Sequence, residues 1–239
     1  MILTAHQPVY LPWLGLFHKI ALADSFVSLD HVQFLKQDWN NRNKIKVPHK
    51  TEWLTVPVHQ HGYMEKSLTD IEIDNRQPWQ RKHWQLIKRG YERAPYYSRY
   101  AGFFEDVYKD KKWENLVELN DFMLRWFLKE LKILTNITSS STLNLLKRKS
   151  QLIEEMCQKS GAKTYIFGEM GKNYADLSSF KSHGINIVFQ EYNHPVYPQM
   201  HGEFVSNLSI LDLLFNCGEE SRDILMSNNI SRNEISQSL

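Results

Sequence analysis

The sequence predicts an α/β protein with a mostly parallel sheet, and two patterns in the chain lead to that class. A short apolar run, Ile2–Ala5, precedes an amphipathic stretch, and the alternating segment Phe26–Phe34 follows as a second strand. Later, the strands Lys163–Phe167 and Ile185–Gln190 flank the helical segment Leu177–His183. Strands that alternate with helices are typical of Rossmann-like parallel sheets, because each helix carries the chain back across the sheet.

The other elements of the first part of the chain follow from local signals. Pro12 stands where a helix can start, because the missing proline N–H is no loss in a first turn. The polar and basic segment Lys36–Lys50 is predicted to be a loop. Trp53–Val58 is predicted to be a strand, with Pro57 indicating a sheet edge, and Leu68–Ile73 alternates as a further strand.

The middle of the chain is predicted to be a helical lobe, residues 70–132, inserted into an α/β core formed by residues 1–69 and 133–218. Three amphipathic helices are predicted in or next to it: Pro78–Tyr91, Tyr96–Val107 and Trp113–Leu131. His83, on the first of these helices, is expected at the surface. Residues 219–239 are predicted to be a polar C-terminal tail that frays.

The second part of the chain returns to the α/β pattern. Ile133–Ile137 is predicted to be a short strand, and the polar run Ser139–Thr142 is a candidate hinge. Lys149–Ser160 is predicted to be a helix that ends at a glycine, and a last apolar helix is predicted over Leu208–Asn216.

Composition bounds the class of protein. The 239 residues, 42% of them hydrophobic, suffice for one large domain. The net charge of +2 is no nucleic-acid-binding signature by itself. Cys157 and Cys217 are predicted to be buried thiols, and His59 and His61 lack a nearby carboxylate, so no metal is expected. No signal peptide and no apolar run of about 18 residues is visible, which predicts a cytoplasmic protein without a membrane span.

The first candidate site follows the first predicted strand. His6, Gln7, Tyr10, Trp13 and Gly15 are clustered where open α/β sheets place their ligands. A histidine there can act as a general acid or base, and the alternative is a buried histidine that fixes the turn. The glycine lets a ligand approach the helix start, as in the nucleotidyltransferase-like (HUP) turn, although the second histidine of that signature is absent. Tight helix–sheet packing is the alternative for the glycine.

A second candidate group is polar and basic. Asp30 is predicted inside the second strand, where a carboxylate needs a partner such as a histidine or a sugar hydroxyl. Asn41, Arg42, Asn43 and Lys46 are dense in hydrogen-bond donors and suit the diphosphate of a nucleotide-linked substrate. The alternative is an exposed basic loop.

The third candidate group follows the last predicted strand and repeats the residue types of the opening. Glu191, Tyr192, His194, Tyr197 and Gln199 lie there. Because parallel strands end at the same edge of a sheet, the two groups are expected to meet in one pocket. His194 and Glu191 are predicted to form an acid–base pair. The alternative is a proline-braced loop with a structural histidine.

Several of these segments closely resemble the WbqC-like family over nearly the whole chain, to about residue 218. The segments are His6–Ile20, Asp30–Phe34, Asn41–Lys46, Trp53–Val58, Tyr192–Gln199 and Leu208–Asn216. The family occurs in bacterial polysaccharide and O-antigen gene clusters. The resemblance therefore implies a cytoplasmic step on a nucleotide-linked sugar, alongside other polysaccharide-biosynthesis enzymes.

The resemblance also implies a reaction: transfer of an acyl or aminoacyl group, such as glycyl, to the amine of a nucleotide-linked amino sugar. His6 or His194 is the expected base, and Asn41 and Arg42 are expected to hold phosphates or the oxyanion. Acyl-CoA, ATP and aminoacyl-tRNA are the candidate donors, and the low net charge argues against tRNA. The alternatives are a nucleotidyltransferase-like or ATP-dependent ligase, and a non-catalytic sugar-nucleotide-binding partner.

Overall fold

The central sheet consists of five parallel strands in a computed structural model that describes residues 1–59, 61–62 and 65–237. The strands are β1 (Ile2–His6), β2 (Ser25–Ser28), β5 (Asn136–Ser139), β6 (Thr164–Gly168) and β7 (Asn186–Gln190). Their order across the sheet is β5-β2-β1-β6-β7, and every neighbouring pair is parallel. The predicted fold class, an α/β protein with a Rossmann-like parallel sheet, is confirmed.

Helices cover both faces of this sheet. They are α1 (Leu14–Leu22), α2 (Trp79–Tyr91), α3 (Tyr97–Glu105), α4 (Leu116–Glu130), α5 (Lys149–Ser160), α6 (Leu177–Ser182), α7 (Ile210–Cys217), α8 (Ser221–Met226) and α9 (Arg232–Gln237). On one face, α1 joins a large apolar core with α2, α3, α4 and α7, where Phe17 packs edge-on against Phe127. On the other face, α5 and α6 pack against Leu3, Ala5 and Val27. The strands are therefore buried on both sides, as parallel strands require.

The predicted loop Lys36–Lys50 is wrong over its second half. Residues Arg42–Val47 form β3, which pairs in antiparallel register with β4 (Lys50–Thr55), and Lys44 lies opposite Trp53. The prediction failed because the strand alternates polar side chains on one face with the buried Ile45 and Val47 on the other, so its overall composition is that of a loop. The strand β4 ends before Pro57, since a proline has no N–H to give to a ladder.

Three further expectations change. Strand β2 ends at Ser28, so Asp30 lies in a turn and not inside a strand. The predicted strand Leu68–Ile73 is instead a 3₁₀ turn at Leu68–Asp70, followed by isolated bridges. The expected fraying of the C-terminal tail is wrong where the structure describes it, because Leu225 in α8 and Ile235 in α9 are fully buried. The last two residues of that tail, 238 and 239, lie outside the described residues.

The strand order places a topological switch point between β1 and β6. From β1 the chain builds the sheet outward through β2 to β5, then crosses back to add β6 and β7 on the other side. In open sheets of this kind, ligands bind outside the carboxyl ends of the strands at such a point. His6 is the last residue of β1, so the opening group of polar residues starts at this edge. Within the described part of the chain, no helix has both the length and the apolarity to cross a membrane.

Candidate functional site at the carboxyl edge of the sheet

His6 is held at the end of β1 as a neutral imidazole. Its Nδ1–H donates to the Gln7 carbonyl at 2.9 Å, which leaves Nε2 as the proton-accepting nitrogen. Burial, together with the nearby Lys19 ammonium, lowers the pKa of His6 to about 4. Lys19 itself is buried, donates to the Ala5 carbonyl at 3.0 Å, and has a pKa lowered to about 8 by burial.

A row of three tryptophans, Trp13, Trp39 and Trp53, extends from this histidine; we refer to it as the indole row. Between ring centres, the distance is 5.4 Å from His6 to Trp13, 5.8 Å from Trp13 to Trp39, and 5.7 Å from Trp39 to Trp53. Trp53 is 44% exposed. Tryptophan faces of this kind bind the planes of bases and sugars.

Two cations lie at the far end of the indole row. The Arg42 guanidinium carbon is 4.5 Å and the Lys44 Nζ is 5.4 Å from the centre of the Trp53 ring. Both side chains project from β3 on the face that carries Trp53 of β4, because Lys44 and Trp53 are directly opposite in the hairpin. This end of the row therefore combines a stacking surface with positive charge, which suits a phosphorylated aromatic or sugar ligand. Trp39 and Trp53 were not predicted as site residues, because nothing in the sequence marks which tryptophans are exposed.

The asparagines around Arg42 position the loops. Asn40 donates to the Gln7 Oε1 at 3.1 Å and to the Pro8 carbonyl at 2.8 Å, and Asn43 donates to the Leu11 carbonyl at 2.5 Å. Asn43 is fully buried and so is not the substrate contact that was predicted. The side-chain oxygen of Gln7, which was also predicted to contact substrate, is likewise occupied, because it accepts the hydrogen bond from Asn40.

Asn41 has half of its amide without a partner among the described residues, as Asn40 does, but Asn41 also lines a groove. Its Nδ2 donates to the Val56 carbonyl at 2.8 Å, whereas its Oδ1 is buried without a hydrogen bond to any described residue. Asn41 lines a groove of about 290 Å³ together with Gln37, Thr55 and other residues of the hairpin and the preceding loop. Thr55 is the cross-strand partner of Arg42, so this groove adjoins the charged end of the indole row.

Tyr10 is a core residue and does not line a ligand surface, contrary to the prediction. It is fully buried, and its hydroxyl lies 2.8 Å from Nδ1 of His83 and 2.5 Å from the hydroxyl of Tyr108. His83 donates from Nε2 to the Thr55 carbonyl at 3.2 Å. The surface position expected for His83 is also wrong, and burial lowers the pKa of its imidazole to about 3.

Asp30 ties together the ends of β2 and β5. Its carboxylate accepts hydrogen bonds from the Ser140 hydroxyl at 2.9 Å, the Ser141 hydroxyl at 2.7 Å and the Ser141 amide at 2.8 Å. The Ser140 oxygen also lies 2.5 Å from His31 Nδ1. The predicted role of orienting a histidine thus applies to His31, through Ser140, and the carboxylate is already occupied by these donors.

The predicted pair of His194 and Glu191 is not formed. Glu191 is exposed and pairs with Lys172. The Nδ1–H of His194 donates to the Pro195 carbonyl at 2.9 Å, and its Nε2 is buried with no hydrogen-bond partner among the described residues. Burial lowers the pKa of His194.

The remaining predicted residues of the late group belong to a buried polar network. Tyr197 and Tyr91 each donate to a different oxygen of Asp212 at 3.0 Å. Lys46, only 4% exposed, donates to Gln199 Oε1 at 3.2 Å. Burial raises the pKa of Asp212 to about 6, against the hydrogen bonds from the two tyrosines, which lower it. Tyr197, Gln199 and Lys46 therefore support the late loop from inside and are not ligand contacts, contrary to the prediction.

The two loops do meet, and they do so at Gly15. A Cβ atom at that position would lie 3.1 Å from the Trp13 Nε1 and 3.1 Å from the ring of Tyr192, whose centroid is 6.2 Å from that of His194. The loops are thus packed directly against each other at this point and do not enclose an open pocket there. Gly15 serves tight packing, which was the alternative considered for it.

The fold defines an open α/β protein with a doubly wound parallel sheet, and the site is a candidate ligand surface at the carboxyl edge of that sheet. The part of the chain that the structure describes brings no three His, Cys, Asp or Glu side chains together as a metal site. The chain belongs to the WbqC-like protein family, whose sequence model matches residues 7–224.

One relative is named "Uncharacterized protein Rv1507c" and comes from Mycobacterium tuberculosis. It is 33% identical over 220 residues, which cover 92% of this chain and 95% of the relative. No solved structure matches the chain.

Proposed function

We propose that the protein is a transferase that adds an acyl or aminoacyl group, such as glycyl, to the amine of a nucleotide-linked amino sugar. The observation that carries the proposal is the unbroken series of ring contacts from the neutral His6 along the indole row to Arg42 and Lys44. It combines a proton acceptor, stacking faces and positive charge. Family membership adds the expected setting, a cytoplasmic step in polysaccharide or O-antigen biosynthesis alongside other enzymes of that route.

His6 is the proposed base. When the sugar amine attacks the acyl carbonyl, a C–N bond forms and the bond from that carbon to the donor's leaving group breaks. The amine proton passes to Nε2 of His6 and from there to the leaving group. A pKa of about 4 keeps the imidazole unprotonated, and therefore able to accept a proton, at neutral pH.

The charges and hydrogen-bonding groups favour one orientation of the acceptor. The diphosphate binds Arg42 and Lys44, and the sugar points along the row toward Trp13 and His6. The base then enters the groove beyond Arg42, where the unpartnered Asn41 Oδ1 can accept a hydrogen bond. The imide N–H of uracil or thymine is a donor of the required kind, so UDP- and dTDP-linked sugars are the proposed acceptors.

The reaction is tested by mass spectrometry. The protein is incubated with UDP- and dTDP-linked amino sugars and, in separate mixtures, glycine with ATP, charged tRNA, or acyl-CoA. We expect one mixture to give a sugar nucleotide heavier by one acyl or aminoacyl group. Pyrophosphate release coupled to that gain would favour the ATP-dependent ligase, whereas unchanged sugar in every mixture despite binding would replace the transferase with a non-catalytic binding partner.

The acceptor surface is tested separately by binding. Replacing Trp53 by alanine removes a stacking face and should weaken acceptor binding at least about fivefold. Leu134→Ala is the matched control, since Leu134 is 96% exposed and lies outside the indole row. Equal affinities for the two variants, measured by titration calorimetry, would remove the row from the acceptor site.

A further inference from the structure

A second groove, of about 450 Å³, opens between α5 and α6. These helices cover the face of the sheet opposite to α1, which begins beside the indole row. The groove is lined by Arg148, Lys149, Glu154, Tyr174 and Ser179, among others. It therefore lies apart from the acceptor surface proposed above.

One end of this groove is built to hold an anion. The helix α5 starts without a side-chain cap and with no acidic residue in its first turn, so its first amide N–H groups have no side-chain acceptor among the described residues. Arg148 and Lys149 precede and begin the helix, and neither forms an ion pair within residues 1–59, 61–62 and 65–237. Free amides, the helix dipole and two cations favour a phosphate at this position. The carboxylate of Asp176 also lines the groove, and its Oδ1 already accepts hydrogen bonds from the Ser178 hydroxyl and the Ser179 amide.

At the other end of the groove, one oxygen of a buried carboxylate has no hydrogen-bond donor among the described residues. Glu154 is only 6% exposed, and its Oε2 accepts a hydrogen bond from the Ser179 hydroxyl at 2.8 Å. Its Oε1 is buried without a partner among the described residues. An unpaired buried carboxylate oxygen is costly, so a ligand hydroxyl that donates to it would relieve that cost.

The spacing of the two ends selects the ligand. Glu154 lies one turn and a half beyond the start of α5, or about 7 Å along the helix axis. The same order of distance separates the 5′-phosphate of a nucleotide from its ribose hydroxyls, whereas the carboxylate and ammonium of an amino acid are too close together. Tyr174, which is 52% exposed at this groove, offers a face for the base.

We infer that the groove between α5 and α6 binds a nucleoside phosphate, with its phosphate at the start of α5 and its ribose at Glu154. Acidic side chains hold ribose hydroxyls in this way in other parallel-sheet proteins. The inference does not depend on the proposed transferase, because the groove lies apart from the acceptor surface. ATP and coenzyme A both carry the required group, so they are the two sources to distinguish.

The anion end is tested with ATP and coenzyme A in separate calorimetric titrations. Arg148→Ala should weaken, at least tenfold, the binding of whichever of the two compounds binds the wild type. Lys181→Ala is the matched control, because it removes one exposed cation from α6 outside the groove, and it should stay within twofold of the wild type. If neither compound binds, or if the two variants bind equally well, the inference is overturned.

The ribose end is tested on the wild-type protein, so that it does not depend on a variant that folds. ATP should bind at least fivefold more tightly than 2′,3′-dideoxy-ATP, or coenzyme A more tightly than its 2′-deoxy analogue. In Glu154→Met, checked for folding by thermal unfolding, that preference should disappear. A wild-type protein without the preference would overturn the assignment of Glu154, while the effect of Trp53→Ala on acceptor binding would remain and keep the two proposals separable.

Discussion

The opening loop, residues 6–15, and the late loop, residues 190–199, contain the same residue types but use them differently. In the opening loop, His6 keeps Nε2 available beside the indole row. In the late loop, the Nε2 of His194 is buried and the ring lies near Tyr197 and Phe204. His6 thus stands beside the proposed acceptor surface, whereas the free nitrogen of His194 lies among packed side chains.

The tyrosines of the two loops, by contrast, have the same role. Tyr10 bonds to His83 and Tyr108, and Tyr197 bonds to Asp212, which Tyr91 also reaches. Each hydroxyl anchors its loop to a distant helix. The comparison teaches that a group of His, Tyr and Gln after a parallel strand marks the edge of the sheet, whereas the neighbouring helices decide which member faces a ligand.

The largest expected effect separates the two histidines. His6→Gln should lower turnover by about 10²- to 10⁴-fold, because the proposed base is lost. His194→Gln should leave turnover within a few-fold of the wild type, since the Nε2 of His194 is buried and its Nδ1–H is bonded to the Pro195 carbonyl. Turnover is measured with the sugar substrate found by mass spectrometry. An equal loss in both variants would break the contrast between the loops.

The next effect is the pH dependence of stability, to which the buried histidines contribute, including His6 and His18 on the side of the opening loop. Burial lowers the pKa values of His6 and His18 to about 4, below the unfolded value of 6.5. The unfolded chain therefore binds more protons between pH 6.5 and 4, so stability is full above pH 6.5 and falls as the pH drops. Each of these two histidines should lower the free energy of unfolding by about 2 kcal/mol at pH 5 relative to pH 7.5.

This prediction is checked by urea unfolding at the two pH values. Asp212 acts in the opposite direction, because burial raises its pKa to about 6 and protonation then recovers part of the loss. The variant Asp212→Asn removes that compensation and should show the steeper pH dependence, if it folds. A free energy of unfolding that is the same at pH 5 and pH 7.5 would contradict the contribution of His6 and His18.

A smaller effect tests the contact between the loops. A methyl group at Gly15 would press on Trp13 and Tyr192, so Gly15→Ala should destabilise the fold by about 1 to 3 kcal/mol. Gly102→Ala in α3 is the matched control, because no atom lies within 4 Å of the added Cβ and helix propensity should stabilise by up to about 1 kcal/mol. Thermal unfolding of both variants measures the difference. The same sign of change in both would show that the loops are not tightly packed at Gly15.

The smallest effect tests the anchors. Tyr197→Phe removes one donor to Asp212 and should cost about 1 to 3 kcal/mol of stability, because a buried acceptor loses a partner. Turnover should be unchanged at a temperature where the variant is folded. A large drop in turnover without a loss of stability would show that Tyr197 acts in the reaction and is not only an anchor.

The sequence by itself determined the fold class, the helix positions in outline and the family. The periodicity of Ile2–Ala5 and of the late strand–helix–strand unit is set by local burial, which residue type records directly. The opening motif also placed His6 and Trp13 at the carboxyl edge of the sheet, where the structure has them. These features depend on neighbours along the chain.

Only the tertiary structure decided which polar and aromatic side chains remain available. Trp39 and Trp53 join Trp13 because the β3–β4 hairpin, whose first strand was predicted to be a loop, lays them side by side. Tyr10 and Lys46 are hydrogen-bonded to partners that lie 73 and 153 residues away along the chain. The physical reason is that burial and hydrogen-bond partnership come from contacts between distant segments, and residue type alone does not record them.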